Sequence, residues 1–432
     1  MLRASSLRGF RTAVPAWPAP ASAQGRAQLL FTPGPLSTSA GVKAAAARDI
    51  GSRDPEFIAC VASVRARLLA LAGVPPSTHS VVLLPGSGTA GVEAVLGSFP
   101  VQQARGGARL LIAANGAYGE RMAAMARGLQ LPHTVLRRSE RRALDAAAVM
   151  RAVARKGPGA YSAVAVVHHE TTAGVLNPVA EIGAALAATA SAGSAAPALI
   201  VDSMSGFGAH ALDAVASRAA FVVSSANKCI EGLPGFSFVV AERAALERCK
   251  GVSRSLSLDL HAQWRGLEDG GQFRFTPPTQ ALLAFSAALD EHAAEGGAAR
   301  RLARYAANAA LLHADMAELG FTPYVEPAAA GAVISTFLLP DDARFDFARF
   351  YGALAARGCV IYPGKLTRDS CFRVGSIGHL FPADIRRLTT AVRDVLGELG
   401  VALPARQIAA APDAPDETAD WSPRPAEGGK SL

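Results

Sequence analysis

Short apolar runs separated by helix-length stretches set the rhythm of this chain. Residues 80–84 (SVVLL), 109–113 (RLLIA), 162–167 (SAVAVV), 198–201 (ALIV), 220–223 (AFVV) and 236–240 (FSFVV) are each almost continuously apolar. A strand with one face in water alternates polar and apolar residues; a strand buried on both faces does not. The runs therefore predict a mostly parallel sheet covered by helices, an α/β fold. A long helical stretch follows over 279–319, broken at Gly296 and Gly297. Beyond it, 334–339, 359–362 and 371–374 read as strands, and 345–357 and 382–396 as helices, which predicts a smaller α+β domain. The reading assigns residues 29–290 to the large domain, with its N-terminal segment reaching a dimer partner or the small domain, and 291–404 to the small one. The Thr32-Pro33-Gly34-Pro35 string predicts a rigid turn. Residues 405–432, rich in Ala, Pro, Asp and Glu without apolar periodicity, predict a disordered tail.

Composition narrows this picture only slightly. The 432 residues, half of them hydrophobic, can bury a large core and a second smaller one. The net charge is +8, but Arg3, Arg8, Arg11 and Arg26 lie in an acid-free segment of 28 residues, which holds half of it. No basic stripe with interleaved aromatics appears, so nucleic acid is not the expected partner. The first 28 residues, with Arg, Ser and Ala and a basic amphipathic turn around Leu2, Leu7 and Phe10, suit an organellar transit peptide. A mitochondrial matrix address is the first expectation and a plastid the second, with the cytoplasm if the segment is a plain tail. No stretch reads as a membrane span; the run 184–198 is too polar. The five cysteines form neither a CxxC pair nor a Cys/His cluster with metal spacing, so neither a disulfide framework nor a metal is expected.

In open α/β sheets, ligands sit beyond the carboxyl ends of the strands, and the informative residues follow the apolar runs. After 80–84 comes Pro85-Gly86-Ser87-Gly88-Thr89-Ala90-Gly91 and then a helix. Glycines let the backbone approach closely, the hydroxyls donate, and a helix start offers N–H groups, which suits a phosphate. An ordinary strand-to-helix turn also fits. After 198–201 comes Asp202, which at a buried strand end needs a partner: a protonated pyridine nitrogen, a helix cap or an ion pair. After 220–223 comes Ser224-Ser225-Ala226-Asn227-Lys228-Cys229. Small neighbours between buried strands keep water from Lys228, and burial favours its neutral, nucleophilic amine. Together these three features meet the needs of pyridoxal phosphate (PLP) chemistry.

The chain resembles the class V aminotransferases of PLP fold type I over about residues 29–399. The resemblance is carried by FTPGPL (31–36), GSRD (51–54), GSGT (86–89), NGAYG (115–119), HHETT (168–172), VDSMS (201–205), SSANKC (224–229), SRSLSLDL (253–260), FTPPT (275–279), IYPGK (361–365) and FRVGSIG (372–378). SSANKC, SRSLSLDL and IYPGK are similar to the members that use 2-aminoethylphosphonate as amino donor and pyruvate as acceptor. The resemblance implies ping-pong transamination giving phosphonoacetaldehyde and L-alanine. It implies a Schiff base between Lys228 and PLP, Asp202 at the pyridine nitrogen, and Ser87, Gly88 and Thr89 at the phosphate. It places Tyr118 stacked on the ring, Thr172 near the phenolic oxygen and Arg373 on the substrate carboxylate. It also implies Arg53 on the phosphonate and Thr276 reaching the phosphate of a neighbouring subunit, hence a homodimer with shared sites.

Two positions depart from the pattern: Ala173 stands where a third hydroxyl is expected, and Ile50 where an aromatic is. His169 reads as a structural histidine. The rival within the class is an alanine– or serine–glyoxylate aminotransferase, which keeps Lys228, Asp202 and Arg373. A cysteine desulfurase is disfavoured because Asn227, not His, precedes the lysine. A non-enzymatic scaffold on the same fold is the remaining alternative.

Overall fold

The computed structural model describes residues 28–101, 108–190, 195–212 and 214–423. Its centre is an eight-stranded sheet in the order Glu417–Trp421, His133–Arg137, Arg109–Ala114, Tyr161–Val167, Ala198–Asp202, Ala219–Ser225, Phe236–Glu242, His79–Pro85. All six apolar runs are strands in it. The five from His133–Arg137 to Ala219–Ser225 pair in parallel. Phe236–Glu242 runs antiparallel to both of its neighbours. Two reversals restore the original direction, so His79–Pro85 points the same way as the parallel set. The carboxyl ends of His79–Pro85, Ala198–Asp202 and Ala219–Ser225 therefore open on one edge of the sheet, and their loops converge there.

Burial explains the runs. Val81, Val82, Leu83, Val164, Ala165 and Val166 have no exposed surface, because helices cover both faces of the sheet. Each fully buried Val or Leu contributes roughly 1.5–3 kcal/mol. The helical stretch 279–319 is two helices, Thr279–Glu295 and Gly297–Glu318, joined at Gly296 with φ +104°, a left-handed conformation that favours glycine. The first helix packs on the main core through Leu282, Phe285 and Leu289. The second carries Leu312 and Met316 into a separate core with Phe337, Phe350 and Phe372. That core lies under a three-stranded sheet of Ile334–Leu338, Cys371–Gly375 and Tyr362–Pro363. Leu29–Leu30 pairs with Cys359–Val360, and Phe31 is buried in the same core. The 32–35 turn thus leaves the second core and heads towards the main sheet.

The tail departs from the sequence reading. Residues 405–423 are ordered as a strap across the molecule, while 424–432, like residues 1–27 of the segment expected to be a transit peptide, lie outside the described residues. Ala405 and Ile408 donate backbone hydrogen bonds to Leu319 and Leu339, and Ala411 N–H donates to Asp369. Glu417–Trp421 then adds an antiparallel strand to the sheet edge. Its acids meet a basic rim: Asp413 with Arg142, Asp416 with Arg138, Glu417 with Arg137, Asp420 with Lys156. The Trp421 ring stacks on His133 at 5.2 Å. Local periodicity does not announce this order, because the partners that create it lie far away in sequence. Within the described residues the strap also covers the sheet edge left by His133–Arg137, which would otherwise present unpaired N–H and C=O groups.

Candidate active site

Three strand ends build one cavity, lined by Ser87, Gly88, Thr89, Asp202 and Lys228 together with Tyr118. The glycine loop comes first. Gly86 has φ +113°, and its N–H donates to Gly235 O at 2.9 Å, so the turn is fastened to the adjacent strand. Ser87 is the N-cap of helix Gly88–Ser98 but makes no side-chain cap bond, which leaves its hydroxyl for the cavity. A Cβ at Gly88 would lie 2.3 Å from Met204 Sδ, so only glycine here lets the Met204 side chain pack against the loop. Arg121 donates to Thr89 Oγ1 at 3.2 Å and lies on the same wall, adding positive charge to this end. The sequence reading did not single out Arg121. The available signal was its spacing from Tyr118, three residues along one helix face.

Asp202 is 7% exposed and, among the described residues, its carboxylate accepts one hydrogen bond, from Met204 N–H at 3.0 Å. Burial pushes its carboxyl up to about 6, and the nearby Glu170 adds to the rise. A buried acid with a single neutral donor suits a cationic ring nitrogen. Lys228 follows the adjacent strand, and its Nζ donates to Pro33 O at 2.7 Å. Burial lowers its pKa, towards a neutral amine. A Cβ at Gly34 would come within 2.6 Å of Nζ, so the turn at 32–35 is what the lysine lies against. The set has the elements a phosphorylated pyridine aldehyde requires: an anion cradle, an acid for a ring cation, and an amine.

A buried ion cluster anchors the loop beyond Lys228. Arg301 and Glu231, both almost fully buried, lie 3.3 Å apart; Arg304 meets Glu231 at 2.8 Å, and Tyr305 donates to it at 2.6 Å. Arg301 also donates to Cys229 O at 2.8 Å, one residue from the lysine. Replacing Glu231 with Gln is expected to lower stability by about 2–3 kcal/mol. That is less than the roughly 3–5 kcal/mol of a fully stripped buried charge, because Glu295 still pairs with both arginines. Guanidinium unfolding of the variant beside the parent measures it, and a change within about 0.5 kcal/mol, the range of a neutral surface substitution, would show the cluster to be inert.

Tyr118 occupies the start of helix Ala117–Gly128, with the Arg121 guanidinium 4.8 Å from its ring centroid and Lys365 Nζ at 3.8 Å. Burial pushes its phenol up, but Lys365, a hydrogen bond with Thr171 and the charges of Lys228 and Arg373 outweigh that and hold it below the usual tyrosine value. Glu170 fixes this helix start. It is fully buried and accepts from Tyr118 N–H at 3.1 Å, Gly119 N–H at 3.3 Å and Thr172 N–H at 3.0 Å. Burial raises its pKa. The sequence reading gave Glu170 no role.

Thr172 requires a correction. Its hydroxyl donates to Glu170 at 2.5 Å and accepts from Ala117 N–H at 2.7 Å, so it braces the helix. The neighbouring Thr171 lines the cavity instead. His169 also lines it, stacked on His210 at 5.3 Å, with burial lowering the pKa of both. Ala173 is buried against Val175 and Tyr324, and Ile50 packs on the main core, so neither departure reaches the cavity wall. Arg373 is buried beside it, donating from Nε to Pro363 O at 2.9 Å and from Nη1 to Thr171 O at 2.8 Å. Arg53 and Thr276 are exposed and do not line the cavity of this chain. A roomier cavity of about 520 Å³ opens beneath the C-terminal strap, but it contains neither Lys228 nor Asp202.

The family model for class-V aminotransferases matches residues 36–360. A 2-aminoethylphosphonate–pyruvate transaminase of Syntrophobacter fumaroxidans is 44% identical over 383 residues, covering 88% of this chain and all of that protein. A transaminase of the same name from Salmonella typhimurium is 44% identical, covering 86% of this chain and 98% of its own. Among solved structures, a pyridoxamine–pyruvate aminotransferase of Mesorhizobium loti superposes with a TM-score of 0.77 at 23% identity, over 88% of this chain and 95% of that one. The relatives also correct one expectation. They are bacterial proteins, from cells without mitochondria, and point to the cytoplasm rather than the mitochondrial matrix.

Proposed function

The chain belongs to the class-V aminotransferases, and from that premise we propose that it moves the amino group of 2-aminoethylphosphonate to pyruvate, releasing phosphonoacetaldehyde and L-alanine. It is a PLP-dependent transaminase. The observation that carries the chemistry is the convergence of Lys228, Asp202 and the Gly86–Thr89 loop on one cavity. Bound PLP supplies an electron sink and carries the amino group between donor and acceptor, so the two substrates use one site in turn.

The residues take the following roles in this reading. Ser87, Gly88 and Thr89 hold the phosphate by hydroxyls and helix N–H groups, with Arg121 adding charge. The Asp202 carboxylate keeps the ring nitrogen protonated. Tyr118 flanks the ring as an apolar face with a polar tip. The Thr171 hydroxyl, on the cavity wall, would serve the ring's phenolic oxygen, while Thr172 keeps Tyr118 in place through Glu170 and Ala117. Lys228 Nζ would hold the cofactor covalently and, as a free amine, would take the proton from the donor carbon and deliver it to the cofactor carbon that receives the amino group. Arg373 meets the carboxylate of pyruvate or alanine through the N–H groups that its two backbone bonds leave over. A homodimer belongs to the same proposal. Thr276 and Phe275 are exposed on a turn away from the cavity of their own chain, which supports a contribution to a neighbour's site.

An amino-donor comparison tests the reading. The purified holoenzyme should form alanine from 2-aminoethylphosphonate and pyruvate, and use serine with glyoxylate poorly. Good turnover of serine or alanine with glyoxylate and none of the phosphonate would move the chain to the other branch of the class.

A further inference from the structure

Within the proposed reaction, we propose that Lys365 is the second cation for the phosphonate and sets the preference of the site for a phosphonate donor over a carboxylate one. The proposal rests on the reading above, since it concerns the same pocket.

Lys365 is built into position. It follows strand Tyr362–Pro363, whose partner strand carries Arg373, with Tyr362 opposite Arg373 in the register. A Cβ at Gly364 would lie 2.2 Å from Cys371 O, so the backbone is pressed against that strand. The N–H groups of Lys365 and Leu366 are directed to the Cys371 sulfur. These contacts fix the start of the Lys365 side chain, and it meets Arg373 at Tyr118, whose phenol feels the charge of both. The Lys365 Nζ reaches 3.8 Å from the centroid of Tyr118, a wall of the cavity that contains Lys228. Among the described residues it forms no ion pair with an acid, unlike Arg137, Arg301 or Arg304.

The charge balance points the same way. Arg373 already gives two N–H groups to Pro363 O and Thr171 O and is hydrogen-bonded to Tyr118. What remains matches a carboxylate, which carries one charge and two oxygens. A phosphonate, like a phosphate monoester, carries close to two charges near neutral pH and has three oxygens. Arg373 alone would leave the second charge without a partner. Arg121, which lines the cavity, is engaged with Thr89 on the cofactor-phosphate loop. Lys365 is the cation that shares Tyr118 with Arg373 and has no acid partner among the described residues.

Lys365→Gln and Lys365→Arg holoenzymes separate this role from a structural one. For Lys365→Gln, kcat/KM with 2-aminoethylphosphonate should fall by about 10–100-fold, mostly through KM, the size expected for losing a hydrogen bond between charged groups. L-Alanine in the reverse reaction should lose much less, so the ratio of the two should fall by about 10-fold or more. Inhibition by methylphosphonate, a non-reacting probe, should weaken in parallel while inhibition by acetate changes little. Lys365→Arg should recover most of the phosphonate activity, and the cofactor absorbance should match the parent in both variants. An equal loss for phosphonate and alanine, or none for either, overturns the assignment and leaves the donor reading standing. A parent enzyme active with alanine but not with 2-aminoethylphosphonate overturns both.

Discussion

Lys228→Ala is expected to abolish transamination, with kcat falling on the order of 10⁴-fold or more, because covalent attachment and proton transfer both go through this one amine. The geometry gives the reason. Nζ sits among small residues at the end of a buried strand, and its partner is a carbonyl, Pro33 O, at 2.7 Å, rather than a carboxylate. Burial therefore holds the amine below the usual lysine value, towards the neutral form that attacks a carbonyl. Steady-state assay with 2-aminoethylphosphonate and pyruvate measures the loss. Borohydride reduction of the parent followed by peptide mapping should place the cofactor on Lys228, and the variant should retain no covalent label. Full turnover in the variant, or a label on another lysine, would require a different assignment of the site.

Asp202→Asn carries the next largest effect and has two readouts that move in opposite directions. Losing the carboxylate that faces a developing charge should lower kcat on the order of 10²–10³-fold. Without cofactor, the same substitution should stabilise the protein. Burial lifts the native carboxyl to about 6 from its ordinary 3.8, so the folded state holds this proton more tightly than the unfolded one. Stability from this group is therefore present at low pH and falls as pH rises from about 4 through about 6. Near neutrality the ionised, buried form costs about 3 kcal/mol, an order-of-magnitude figure. Comparing parent and Asp202→Asn apoproteins by chemical unfolding at pH 4.5 and 7.5 isolates it. The variant should be the more stable at the higher pH, by an amount that shrinks at the lower. PLP should reverse the ranking, since a cationic ring nitrogen gives the carboxylate its partner. A variant less stable than the parent without cofactor at both pH values would mean that the buried charge is already compensated.

The two residues behind these predictions were legible as residues. Both follow continuous apolar runs, and a run buried on both faces is a strong signal because burial acts on every position in it. The weaker strands were not legible. His133–Arg137 (HTVLR) and Glu417–Trp421 (ETADW) mix polar and charged residues, and the acids of the second find their partners, Arg137 and Lys156, far along the chain. The threonine facing the cavity was displaced by one residue for a similar reason. In the HHETT string the direction of each side chain depends on Glu170, which turns in to cap the helix at Tyr118 and takes Thr172 with it, leaving Thr171 on the wall.

By itself, the sequence determined the α/β class, six adjacent strands of the sheet, and the amine, acid and anion loop at their ends. These follow from local physics: apolar continuity, glycine at a turn, and a charge at a buried strand end. Only the tertiary structure decided which side chains share a wall. It brought Pro33 to Lys228, Arg121 to Thr89, Lys365 to Tyr118 and the acidic strap to a basic rim. Each of these contacts joins elements whose relative placement depends on how helices and sheets pack, and packing is set by the whole core rather than by any one segment.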